Sequence, residues 1–332
     1  MKAILMRQPG GPEVLEHVDL PDPTLTGEHD MLVRLKAAGV NPVDTKLRAR
    51  GTYYPERMPA ILGCDGAGVI EAVGPKVERF EPGDEVYFCH GGIGGHAGTY
   101  AEFAVVSEYH AARKPPSLGF IEAAAVPLVL ITAWESFNDR VRLGRGQRVL
   151  IHAGAGGVGH VAVQLARLAG AHVVTTVSTP EKAEFVKGLG AERSVLYRSE
   201  DFVEAVRTWS DGQGVDLVLD TLGGDALQRS FEAVKPYGDV VTLLQPPVDV
   251  DWKTVRVKNL RLSFELMLTP MHLHLEDRLR AHAAILRQGA RLFEDGKLRI
   301  HVARAFPLDQ AAEAHRMLEA GGLTGKLVLS MG

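Results

Sequence analysis

The chain has only two cysteines, Cys64 and Cys89. Two thiols can build neither a disulfide framework nor a four-thiolate zinc site, and in a reducing compartment they stay free. A membrane-length apolar run is missing too: the longest stretch, AAAVPLVLITAW at 123–134, contains Pro127 and falls well short of the roughly 20 residues a spanning helix needs. It reads as a buried helix start. Between Lys2 and Arg7 only Ala3–Met6 is apolar, too short for a signal-peptide core, so a cytoplasmic location is expected. Basic charge is not in excess, with Lys+Arg 37 against Asp+Glu 41 and a net charge of -4, which makes nucleic acid an unexpected partner. There is no internal repeat and no low-complexity tract.

What is present is a change of periodicity in a 332-residue chain of ordinary globular composition, long enough for two domains. Up to about residue 120, short strands broken by Gly and Pro follow one another: KAILMRQ, HDMLVRLKAAGV, AGVIEAVG, GDEVYFC, TYAEFAVVS. This is an all-β pattern that suits a compact barrel. From about 123, apolar strands and amphipathic helices alternate, beginning with QRVLIHAG and GVGHVAVQLARLAG and ending with the strands GDVVTLL and RLSFELML (261–268). Val-, Ile- and Leu-rich strands joined by helices imply a doubly wound parallel sheet. Helices are expected at about 276–295 and 308–320. A last strand, GKLVLS, could rejoin the first domain.

The strongest motif is Gly154-x-Gly156-x-x-Gly159, directly after a predicted strand and at the opening of a helix. Glycines there allow the tight turn, the close approach of backbone to a pyrophosphate and tight helix–strand packing. The segment Gly154, Ala155, Gly156, Gly157, Val158 and Gly159 is therefore a candidate dinucleotide cradle. An NAD-selective domain places an acid at the end of the second strand to hold the ribose 2′-OH. Here Ser178 stands in that place, and Lys182 follows four residues on. The exchange of a carboxylate for a cation suits the 2′-phosphate of NADP(H), with Tyr197 and Arg198 as further donors; a solvated lysine on a helix face is the plainer alternative.

With these residues in view, the chain resembles the medium-chain dehydrogenase/reductase superfamily, in its zinc-free NADPH:quinone reductase (zeta-crystallin-like) branch. The matching segments are AAGVNPVDTKLRARGTYYP, ILGCDGAGVIEAVG, FEPGDEVY, GTYAEFAVV, HAGAGGVGHVAVQLA, LGA at 189–191 and the terminal GKLVL, in the family's order along nearly the whole chain. The resemblance implies an α/β protein: a Rossmann NADP-binding domain at 125–265 and a GroES-like catalytic domain at 1–124 and 266–332, completed by the C-terminal tail. It implies Asn41, Asp44 and Tyr53 on the nicotinamide and substrate side of the site, and adds Thr132, Leu243 and Lys326 to the cofactor-binding set. In the zinc-dependent members, the position of Asn41 carries a cysteine ligand and those of Cys64 and Asp65 a His-Glu pair, so no metal is expected.

Several of these residues have a second reading. Asp44 could tie a loop to its own backbone, Asn-Pro and GTYYP are turn chemistry, and Thr132 could be a helix cap. Cys64 could be a metal ligand, a nucleophile or packing; no cation or base adjoins it in sequence, and a small buried hydrophobe fits best. Cys89, His90 and His96, in CHGGIGGHAG, could coordinate a metal from a glycine-rich loop. The expected activity is hydride transfer from NADPH to a quinone or other conjugated carbonyl, in a homodimer joined through the edge strand 261–268. Asn41 and Tyr53 would be neutral donors, so no group titrating between pH 6 and 8 is needed. An alkenal, enone or 2-haloacrylate reductase, a zinc-type alcohol dehydrogenase, and a non-catalytic NADPH-binding structural or RNA-interacting protein are the alternatives.

Overall fold

The computed structural model describes residues 1–332, and the chain divides into two compact units, Met1–Ile131 with Leu268–Gly332, and Thr132–Met267. The sequence places the breaks at 124/125 and 265/266. The first division lies inside the helix Pro127–Glu135 and the second follows Met267.

The first unit holds β1 (Lys2–Met6), β2 (Leu15–Asp19), β3 (Asp30–Val40), β4 (Ala60–Ile61), β5 (Asp65–Val73), β6 (Glu85–Cys89), β7 (Phe103–Ser107) and β8 (Ala111–Arg113). The second holds β9 (Arg148–Ile151), β10 (His172–Val177), β11 (Arg193–Leu196), β12 (Val215–Asp220), β13 (Val234–Thr242) and β14 (Arg261–Phe264); β15 (Val302–Pro307) and β16 (Lys326–Ser330) return to the first. Its larger sheet runs β15-β16-β3-β5-β6-β8, with β7 also on β3, and a smaller one runs β2-β1-β4. β16 pairs antiparallel with β3, Leu327 opposite Val40. The last strand thus completes the domain that the first strands begin, around a core of Met31, Val33, Leu35, Ile70, Val86 and Phe88.

The second unit is an all-parallel sheet in the order β11-β10-β9-β12-β13-β14. This is the dinucleotide-binding order, whose direction reverses beside β9. Its strands β9, β10 and β12 are buried on both faces, and Leu150, Val174, Val218 and Val240 pack with Val203, Val206, Leu227 and Phe231 of the covering helices.

Two local expectations change. Asn41-Pro42, which reads from sequence as turn chemistry, opens the helix Pro42–Arg50. Pro42 at its first position and Asp44 reaching back to the Asn41 N–H at 2.8 Å are helix-start signals. The edge strand 261–268 shortens to Arg261–Phe264, and the next residue, Glu265, is buried and accepts from Arg140 Nε at 2.7 Å.

Candidate active site

The glycine segment lies between β9 and the helix Gly157–Leu168. A Cβ on Gly154 would stand 2.0 Å from Thr175 Oγ1, and one on Gly159 2.2 Å from the Ala153 carbonyl oxygen, so both glycines are required by packing. Gly156 differs. It is the N-cap, it provides no side-chain cap, and a Cβ there would meet nothing nearer than Ala153 O at 3.2 Å. The helix therefore starts with backbone donors that no side chain caps, beside an approach free of Cβ atoms, and this fits a dinucleotide pyrophosphate.

His152, which sequence reasoning passed over, braces the turn. Its Nδ1 lies 3.2 Å from Thr176 Oγ1 and its Nε2 2.8 Å from Ser230 Oγ, while the Ala153 N–H donates to Thr176 Oγ1 at 3.0 Å. Burial pulls the imidazole down to about 4, leaving a neutral ring with both nitrogens engaged. Ala153 holds a left-handed φ of 50° there.

Ser178, Lys182 and Tyr197 gather at the carboxyl ends of β10 and β11. Thr179 caps the helix Pro180–Leu189 by accepting from the Lys182 N–H at 3.4 Å, and the Tyr197 N–H donates to Val177 O at 3.2 Å. Tyr197 is exposed. Leu243 follows β13 directly, with its N–H on Asp220 O at 3.0 Å, at the same end of the sheet. Thr132 lies inside the helix Pro127–Glu135, not at its start, and is almost wholly buried; the cap reading is thereby removed.

In the first unit, Asn41, Asp44, Asp65 and Lys326 form one fully buried cluster. Lys326 Nζ donates to Val40 O at 3.0 Å and to Asn41 Oδ1, and lies 3.9 Å from Asp65 Oδ2. Asn41 Nδ2 donates to Asp65 Oδ2 at 2.9 Å, and Asp65 Oδ1 accepts from the Leu128 N–H at 2.8 Å. A lysine only donates and a carboxylate only accepts, so the Asn41 amide has one permitted orientation. Burial lowers the lysine and raises Asp65, and each charge favours the other. The acceptors around Nζ are those an ammonium needs. Lys326, expected among the cofactor-binding residues, thus commits its charge inside this unit.

Asp44 is also committed. Its Oδ2 accepts from the Asn41 N–H and from Tyr100 Oη at 3.0 Å, and Tyr100 Oη lies 3.1 Å from His315 Nε2. Burial, with Oδ1 left unpartnered, pushes Asp44 up to about 7. A group titrating near neutrality is therefore present where the sequence calls for none. Asn41 and Asp44 have no exposed surface and serve as internal supports; Tyr53, 37 % exposed, is the accessible member of the expected trio.

Cys64 and Cys89 are free, buried and hydrogen-bonded to each other. That bond lowers Cys64, but burial and the carboxylates of Asp44 and Asp65 leave its thiol raised, despite Lys326 nearby. A protonated, buried thiol packs; it does not attack. With an ammonium among Asn41, Cys64 and Asp65, and no group of three or more His, Cys, Asp or Glu side chains arranged to hold an ion, the donor set does not fit zinc. His90 and His96 have ring centroids 5.2 Å apart, and His110 is equally close to His90. They line a cavity of about 130 Å³ with Met271, His274 and Glu276.

A parallel sheet in dinucleotide-binding order, an open glycine cradle and a GroES-like unit closed by its own C-terminal strand define an oxidoreductase of the medium-chain dehydrogenase/reductase superfamily, and the chain belongs to it. The alcohol dehydrogenase GroES-like domain family matches residues 27–116, and the zinc-binding dehydrogenase family residues 189–329. A quinone oxidoreductase of Pseudomonas aeruginosa is 34% identical over 96% of this chain and 96% of its own length. Among solved structures, an alcohol dehydrogenase superfamily protein from Novosphingobium aromaticivorans superimposes with a TM-score of 0.91 at 35% identity, covering 100% of both chains. The Escherichia coli quinone oxidoreductase complexed with NADPH gives 0.87 at 28% identity, over 99% of this chain and 100% of that one.

The Asp44 environment generates a pH prediction. The native state prefers the neutral carboxyl up to about 7, whereas the unfolded chain releases the proton near 3.8. This contribution to stability is present below about pH 4 and is lost as pH rises through about 7. The lowered His90, His152 and His315 act in the opposite sense and cancel when two variants are compared. Asp44→Asn should therefore become more stable relative to the parent on going from pH 5 to pH 8, as measured by denaturant unfolding at both values; an unchanged difference would show that Asp44 ionises freely.

Proposed function

We propose that this protein is an NADPH-dependent reductase that passes hydride to a quinone or other conjugated carbonyl. The observation that carries the reading is the open, uncapped glycine cradle, set beside a strand end where Ser178 and Lys182 replace the acid an NAD-specific site would hold. Gly154, Ala155, Gly156, Gly157, Val158 and Gly159 would receive the pyrophosphate. Lys182 and Tyr197 would receive the 2′-phosphate beside Ser178, and Thr132 and Leu243 would complete the cofactor wall. When bound, NADPH supplies the hydride and its two electrons. The quinone oxidoreductases of similar sequence and the NADPH complex of one of them support the same assignment.

On the acceptor side, Tyr53 offers a neutral hydroxyl, and burial raises it above its ordinary value, so it remains a donor at physiological pH. Negative charge delivered to a quinone spreads over two oxygens, and fixed neutral donors stabilise it without a strong acid. The Lys326–Asn41–Asp65 cluster and Asp44 hold the backbone that carries this site. Two buried free thiols suit a cytoplasmic enzyme, and no helix is long and apolar enough to cross a membrane.

Oxidation of NADPH in the presence of a panel of quinones, enones and alkenals tests the reading: turnover with quinones is expected, and tight NADPH binding without turnover on any acceptor would overturn it. NADPH should bind more tightly than NADH by about tenfold to a hundredfold, the worth of one charge-assisted hydrogen bond. Lys182→Glu should erode or reverse that ratio. Equal dissociation constants in the parent protein would remove Lys182 from the site.

We also infer a homodimer. β14 is the outer strand of its sheet, and Phe264 and Leu266 beside it are half exposed, an edge that pairing would protect. Light scattering at micromolar concentration should give twice the 35.9 kDa chain mass; the monomer mass would contradict this.

A further inference from the structure

Three separated segments meet at Tyr53. The Tyr53 N–H donates to Ile93 O at 3.1 Å, tying the residue to the glycine-rich loop. Its ring lies against the imidazole of His272, centroids 4.6 Å apart and planes 33° from parallel. On the same imidazole, Tyr54 packs edge-on at 5.8 Å and 67°, while Tyr54 Oη donates to the His272 carbonyl at 2.8 Å. His272 is thus held through its backbone by one tyrosine and stacked against the other.

His272 Nδ1 is buried without a hydrogen-bond partner. Burying a polar atom unpaired is unfavourable, so this nitrogen does not explain why the ring lies there. The face of the ring packs on Tyr53. It stiffens Tyr53, a residue that remains 37 % exposed. Two rings in tilted face contact form a rigid platform, which favours a flat π-system over a flexible chain, because aromatic packing depends on face area and alignment.

We propose that His272 is a positioning residue for the reductase reaction: by stacking behind Tyr53 it makes that ring a platform for planar aromatic acceptors, so that fused-ring quinones are the preferred substrate class and linear alkenals are poor ones. This rests on the quinone-reductase reading and adds the selectivity within it. Hydride and proton balance are unchanged, since the platform orients the acceptor and transfers nothing.

The test uses the full-length protein, with NADPH as reductant and 1,4-naphthoquinone and trans-2-hexenal as acceptors. The parent should reduce naphthoquinone with the higher kcat/KM. His272→Ala should raise KM for naphthoquinone about three- to tenfold, the worth of one aromatic pair, while kcat, the NADPH dissociation constant and the weak hexenal activity stay as they were. His272→Phe, which keeps the stack and removes the nitrogen, should restore the parent KM. Equal losses on both acceptors, an unchanged naphthoquinone KM, or failure of His272→Phe to rescue would overturn the platform. Should His272→Ala not fold, His272→Leu, which keeps the bulk and removes the aromatic face, takes its place, with the same selective loss expected. Absence of quinone turnover in the parent would instead refute the quinone-reductase reading, whereas quinone turnover no better than hexenal turnover would refute only the platform.

Discussion

One buried charge organises the first unit. Lys326, at the start of the last strand, has an ammonium with almost no solvent contact, and an unpaired ammonium there would be several kcal/mol unfavourable. It can stay only where Val40 O, Asn41 Oδ1 and the Asp65 carboxylate converge. Those partners belong to the end of β3, the start of the helix Pro42–Arg50 and the start of β5. The docking of a strand from the far end of the chain is therefore coupled to the position of the residues around the candidate site. Removing one partner would leave the other charge buried alone, which typically destabilises by about 3–5 kcal/mol.

The same logic recurs in the second unit with neutral groups. The glycine cradle needs bare backbone at its centre, so it cannot supply its own side-chain braces. His152, Thr176 and Ser230 provide them from below. In each unit buried polar side chains, Lys326, Asn41 and Asp65 in the first and His152 in the second, brace the backbone around the candidate site. That arrangement suits an enzyme whose cofactor carries the chemistry and whose protein supplies placement.

The acceptor side follows a third route, aromatic packing. Tyr53 is accessible while its ring packs on His272, which Tyr54 in turn braces. Asn41 and Asp44, by contrast, are consumed by internal hydrogen bonds. Neighbours in sequence thus have different functions: two hold the scaffold and one faces outward.

The sequence by itself determined the elements whose signals are local. The period of two before about residue 120, the alternation of strand and helix after it, and the glycine spacing at 154–159 each depend on neighbours a few positions apart, and they define the dinucleotide-binding sheet and its cradle. The helix at 42–50 escaped a reading of Asn41 and Pro42, because turn chemistry accounts for the same letters. Tertiary structure alone decided the rest, because burial and charge pairing join residues far apart in the chain. Lys326 meets Asn41 across 285 positions, which turns an expected cofactor ligand into an internal cation. Asp44 meets Tyr100, and Tyr100 meets His315, in surroundings dry enough to move a carboxyl to about 7. His272, in the plain segment TPMHLHL, carries no motif at all; only the folding of the C-terminal segment back onto Tyr53 and Tyr54 gives its ring a function.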